Sequence, residues 1–126
     1  MIRIPASWHV NAWLEGIISR ACAVRLAEDI CDAMDLKIIA TNIADIKPRG
    51  KCNGRIPFTL VCTLLESHLV IHTWPELGVV GLSVESCRAI DSNMGRAAAS
   101  QNGMGIIEWR MSCRHGTKNG NKPSMK

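Results

Sequence analysis

One stretch dictates most of what this chain can fold into: Leu64-Leu65-Glu66-Ser67-His68-Leu69-Val70-Ile71-His72-Thr73-Trp74-Pro75-Glu76. The apolar residues on either side of Glu66-Ser67 read as buried strands, so two strands must meet at that acid–hydroxyl pair. The same stretch carries carboxylates, imidazoles, hydroxyls and an indole. A core strand gains nothing from such groups, each of which must find a partner or cost free energy. Chemistry is the better reason for their presence.

Around this stretch the periodicities predict the remaining elements. Residues Trp8 to Leu14 alternate polar and apolar as a half-buried strand, ended by Gly16. Ser19 suits the N-cap of a helix through Met34, in which Val24, Ala27, Cys31 and Met34 recur at helical spacing. Leu36 to Ile43 is β-branched and apolar, a second strand. Ile46 to Arg55 holds a proline, two glycines and basic residues, a loop. Strands follow over Ile56–Leu65, His68–Thr73 and Val79–Val84, then a poorer helix over Arg88–Gln101 that Gly95 weakens, and a last strand over Ile106–Cys113. The order β-α-β-β-β-β-α-β predicts an α+β fold, a two-layer sandwich whose mostly antiparallel sheet carries two helices on one face. Residues 1–113 are expected to form one domain, and residues 114–126 a basic, disordered tail.

Composition excludes several function classes. Net charge is +4, but Arg114, Lys118, Lys122 and Lys126 lie in the acid-free tail, which leaves a neutral body. That distribution argues against nucleic acid as a partner. No apolar run is long enough to cross a bilayer, and the first residues lack the apolar segment of a signal peptide, so no membrane partner and a cytoplasmic location are expected. The six cysteines form no C-x-x-C pair and are expected as free thiols, with Cys22, Cys31 and Cys62 in packing. His68, His72 and Glu76 have even spacing that would suit a metal, but Pro75 interrupts the shared face and none is expected.

Glu66-Ser67-His68, followed by Ile71-His72-Thr73-Trp74-Pro75-Glu76 and then Cys87, resembles the small prokaryotic type of S-adenosylmethionine decarboxylase proenzyme. The resemblance implies a chain that cuts itself between Glu66 and Ser67 and converts Ser67 into a covalent pyruvoyl cofactor. It implies decarboxylation of S-adenosylmethionine, supplying the aminopropyl donor for polyamine (spermidine) synthesis, by a homodimer of cleaved protomers. His72 matches the histidine that removes the serine α-proton during processing, and Thr59 falls where a hydroxyl supports that step. Cys87 matches the thiol that returns a proton to the substrate α-carbon, and Glu76 the carboxylate that holds the ribose hydroxyls.

Taken singly, each of these residues has an ordinary explanation: a turn serine, a packed cysteine, a satisfied histidine, a solvated glutamate. Their joint spacing changes that. On a regular strand Ser67 and His72 would face opposite sides, about 16 Å apart, so a bend or bulge near His68 is expected. The match thins at substrate-contacting positions. Ile46-Lys47-Pro48-Arg49-Gly50 stands where the family has an aromatic-led segment, Leu77 and Val79 stand for aromatics, and Arg88 for a glycine. Trp74 or Phe58 would then supply the ring. Two alternatives stay open: a pyruvoyl decarboxylase of arginine or ornithine, and an inactive partner subunit.

Overall fold

A computed structural model describes residues 2–48 and 50–118. Its elements are β1 (Arg3–Ile4), β2 (Ser7–Glu15), α1 (Arg20–Ala33), β3 (Ile38–Asp45), β4 (Phe58–Leu64), β5 (Ser67–Trp74), β6 (Val79–Ser86), α2 (Ser92–Gln101), β7 (Gly105–Arg114) and β8 (Thr117–Lys118). Six strands form one sheet in the order β3-β4-β5-β6-β2-β7, and every neighbouring pair in it is antiparallel. The strand β2, first of the six in sequence, therefore fills the place between β6 and β7. The expected two-layer α+β sandwich is the fold observed.

Period-two alternation decides which face is covered. Val10, Ala12 and Leu14 of β2, Leu60, Cys62 and Leu64 of β4, Leu69 and Ile71 of β5, and Val80, Leu82 and Val84 of β6 join one buried cluster with Ala23, Leu26, Ala27 and Ile30 of α1 and Ala98 and Ala99 of α2. The alternate residues of the same strands lie on the bare face, where His68 and His72 are exposed. Ser19 caps α1 as expected, its Oγ accepting from Cys22 N–H at 3.1 Å. Helix α2 starts four residues later than expected, at Ser92, because Asp91 caps it by accepting from the N–H groups of Asn93 and Met94. Gly95, expected to weaken that helix, lets it approach α1: a Cβ there would lie 2.7 Å from Met34 Sδ.

The expected domain end at Cys113 moves outward. Strand β7 runs through Arg114, and Thr117–Lys118 pair with Arg3–Ile4 in a separate two-stranded ribbon. The rest of the expected tail, 119–126, lies outside the described residues. No helix among the described residues is long and apolar enough to cross a membrane.

Candidate active site

Ser67 opens β5 at a two-residue hairpin in which Leu64 pairs with Ser67 across Leu65-Glu66. Glu66 has a φ of 65°. That left-handed conformation costs a residue with a Cβ about 1 kcal/mol or more. The strained residue supplies the carbonyl of the Glu66–Ser67 bond. On the neighbouring strand, β6 ends at Ser86, whose Oγ accepts from Arg88 N–H at 3.0 Å and donates to Arg88 O at 2.7 Å. This local turn brings Cys87 against the hairpin, and Cys87 N–H donates to Ser67 Oγ at 3.3 Å. Residues twenty positions apart thus meet at one sheet end, with Ser67 half-buried and the Cys87 side chain exposed.

A second group forms at the opposite end of β5. Thr59 of β4 lies directly across from His72, and Thr59 Oγ1 is 2.9 Å from His72 Nδ1. The His72 ring stands 5.8 Å from the Trp74 ring, which in turn stands 5.3 Å from Trp13. Gly81 makes room for this stack, since a Cβ there would lie 3.1 Å from Trp74. Beside the stack, Lys47, Phe58, Thr59, His72, Trp74 and Glu76 line a cleft of about 330 Å³. One Glu76 oxygen, Oε2, accepts from the Cys52 thiol at 3.5 Å; the other, Oε1, is buried without a hydrogen-bond partner. Trp74 and Phe58, the expected replacement rings, both reach this cleft, with Trp74 half-buried and Phe58 buried.

The structure does not bring the two groups together. The expected bend or bulge near His68 is absent: register is unbroken from His68 to Trp74 against β6 and from Ser67 to His72 against β4. Regular backbone hydrogen bonding on both sides of β5 holds it straight. Ser67 and His72 therefore keep opposite faces and stand about 16 Å apart.

A further polar row escaped the sequence reading. His68, Glu85 and His9 face one another across β5, β6 and β2, with His68 Nε2 3.4 Å from Glu85 Oε2 and His9 Nε2 3.9 Å from Glu85 Oε1. Ser7 Oγ adds a contact to His9 Nε2 at 3.0 Å. Only strand register produces this row, and register across non-consecutive strands has no local signature. Among the described residues, no group of three or more His, Cys, Asp or Glu side chains is placed to hold a metal ion.

The thiols divide by environment. Burial, with a smaller push from Cys62, raises the Cys31 thiol to about 12. Burial likewise raises Cys62, against the lowering effect of a contact with Thr41. Both are packing groups, as expected. Cys22 is exposed instead, because the buried stripe of α1 runs through Ala23, Leu26, Ala27 and Ile30 and leaves position 22 outside it.

A bare-faced antiparallel sheet backed by two helices, with its polar chemistry on that face and at one strained hairpin, defines a two-layer α+β domain built to carry a site on the sheet. The chain belongs to the S-adenosylmethionine decarboxylase family, whose model matches residues 15–102. A relative from Archaeoglobus fulgidus, an S-adenosylmethionine decarboxylase proenzyme, is 31% identical over 84 residues, covering 63% of this chain and 69% of that protein. Proenzymes of the same name from Clostridium botulinum are 30% identical over 64 residues, 51% of this chain and 49% of theirs. The crystal structure of the adenosylmethionine decarboxylase from Aquifex aeolicus shares the fold, with a TM-score of 0.62 over 96% of this chain and 99% of that one, at 22% identity.

Proposed function

We propose that this chain is a proenzyme that cuts itself between Glu66 and Ser67 and then decarboxylates S-adenosylmethionine, yielding the aminopropyl donor of polyamine synthesis. The observation that carries the reading is the meeting of Ser67 Oγ with Cys87 N–H beside the left-handed Glu66. A hydroxyl one residue from a strained carbonyl is placed for an acyl shift. Ser67 Oγ attacks the Glu66 carbonyl, the amide becomes an ester, and the hydroxyl proton passes to the released nitrogen. Loss of the Ser67 α-proton then breaks the Cβ–Oγ bond, leaving Glu66 as a new C-terminal carboxylate and residue 67 as a dehydroalanine, which tautomerises to an imine. Water adds to that imine and ammonia leaves, giving pyruvoyl.

The surroundings of Ser67 fit that group: a backbone N–H already points at the side chain and an exposed thiol lies on the same residue. A pyruvoyl group supplies an electron sink that no standard side chain offers. Cys87 returns a proton to the substrate α-carbon, which requires the thiol to be protonated at that moment. Thr59 orients His72 through its 2.9 Å contact, and His72 takes the Ser67 α-proton once the ester has let residue 67 leave its pairing with Leu64 and turn towards the bare face. Glu76 receives the ribose hydroxyls in the 330 Å³ cleft, where Trp74 offers a ring face to the base. Trp13, 43% exposed on the bare sheet face, supports pairing of cleaved protomers as a homodimer. Free thiols at Cys22, Cys31, Cys62, Cys87 and Cys113 support a reducing, cytoplasmic setting.

Intact mass separates the readings. Fragments 1–66 and 67–126, the second without a free amine, together with CO2 release from labelled S-adenosylmethionine, are expected. Release from labelled arginine or ornithine, with S-adenosylmethionine inert, would give the site to a smaller amino acid. A chain that stays whole on prolonged incubation would remove the enzyme reading.

A further inference from the structure

We propose that Cys52 is the positioning residue that sets the selectivity of the Glu76 cleft for a vicinal diol. The inference rests on the reading of Glu76 as a ribose-binding carboxylate and adds how that carboxylate is aimed.

Cys52-Asn53-Gly54-Arg55 form a turn in the loop between β3 and β4. Asn53 and Gly54 have φ values of 55° and 72°, and Arg55 N–H donates to Cys52 O at 2.9 Å. Two successive left-handed residues closed by that bond make a type I′ turn, the geometry that Asn-Gly favours. The turn points its first side chain inward. Cys52 is 6% exposed, whereas Lys51, Asn53, Gly54 and Arg55 are all exposed.

Two contacts then fasten the turn to the one that carries Glu76. Cys52 Sγ lies 3.5 Å from Glu76 Oε2, and Asn53 Nδ2 donates to Pro75 O at 3.4 Å. The Glu76 turn is itself closed by Leu77 N–H to Trp74 O at 3.0 Å. The carboxylate is thereby fixed at one oxygen, and the other is buried with no donor. A buried acceptor without a donor is unfavourable until a ligand supplies one. Two adjacent hydroxyls satisfy it best: one donates to the orphan oxygen, and the other to Oε2, which keeps lone-pair capacity beside a weak thiol donor. Without the thiol, the carboxylate is free to rotate towards water and to satisfy itself there. Cys52 thus acts through Glu76 and need not touch the ligand.

The test measures binding of adenosine and of 2′,3′-dideoxyadenosine to the purified, processed protein by calorimetry. Neither nucleoside has the amino acid portion that reacts at residue 67. The native protein should prefer adenosine by roughly ten- to a hundredfold, the worth of hydrogen bonds to a charged acceptor. Cys52→Ala and Cys52→Val should cut that ratio by about tenfold, and Cys52→Ser, which keeps a donor, should restore it. Cys52 variants that weaken both nucleosides equally would show a merely structural loop residue and overturn the proposal. Loss of the ratio in Glu76→Ala with the native ratio in Cys52→Ala would overturn it too, while leaving the Glu76 reading standing. No preference in the native protein would overturn both.

Discussion

Thr59 Oγ1 and His72 Nδ1 stand 2.9 Å apart, directly opposite on adjacent antiparallel strands. Cross-strand pairing fixes both backbones, so the hydroxyl holds one ring nitrogen, Nδ1. The contact is solvent-exposed, and such a hydrogen bond contributes about 0.5–1.5 kcal/mol net. Thr59→Val is isosteric and removes the hydroxyl. Self-cleavage, followed by mass, should slow by up to about tenfold, whereas Thr59→Ser should stay near the native rate.

Glu66 is the next element open to direct test. Its φ of 65° suits glycine far better than a residue with a Cβ. Ser67→Ala should keep the chain whole and permit equilibrium unfolding. In that background Glu66→Gly should raise stability in urea by about 1 kcal/mol, an amount tempered by glycine's greater freedom when unfolded. In the native background the same substitution should slow cleavage, because relaxing the residue lowers the ground state from which the acyl shift starts. Unchanged stability in the first measurement would remove strain from the account.

How far the sequence reveals this architecture depends on the range of the signal. Ser19 and the periodic residues after it announced α1, because capping and helical spacing are local. The β4–β5 hairpin followed from apolar runs flanking Glu66-Ser67. The start of α2 did not, since Arg88 to Ile90 look helical until the Asp91 cap is seen. Gly95 looked like a flaw because Met34, its reason, caps the end of another helix. In the site, the resemblance supplied the residues and the structure supplied their grouping. The Cys52–Glu76 contact spans 24 positions between two loops, and no periodicity encodes it.

Cys31 gives a pH prediction. Its folded value is about 12 against an ordinary 9.0, with burial as the main cause. A raised value means the folded state favours the neutral thiol. The corresponding stability is complete below about pH 9 and is lost as pH rises towards 12. Urea midpoints should fall between pH 9 and 11, with a limiting slope of about 1.4 kcal/mol per pH unit, and Cys31→Ala should flatten the decline while lowering stability throughout.

Replacing Cys87 should separate cleavage from turnover. Its N–H, which meets Ser67 Oγ, belongs to the backbone and survives side-chain replacement. Cys87→Ala should therefore still cut its chain. Decarboxylation should drop by about 10²–10⁴-fold, the usual contribution of a positioned proton donor. Near-native turnover would take the thiol out of the reaction.

The separation of His72 from Ser67 predicts where processing stalls without the imidazole. The acyl shift needs Ser67 Oγ and the Glu66 carbonyl, which are neighbours in the chain whatever His72 does. The elimination needs a base at the Ser67 α-carbon, and in the continuous chain His72 lies about 16 Å along β5 on the other face. Forming the ester frees the Ser67 nitrogen and lengthens the tether to Glu66 by the serine side chain. Residue 67 can then leave its pairing with Leu64 and turn towards the bare face. His72→Ala should accordingly reach the ester and stop there. Hydroxylamine should cut that variant into pieces 1–66 and 67–126 and should leave Ser67→Ala intact. A whole, hydroxylamine-resistant His72→Ala chain would place the imidazole before the ester. Cleavage at the native rate would pass the α-proton to another base, and His68, held by Glu85 at 3.4 Å beside Ser67 in the chain, would be the one to replace next.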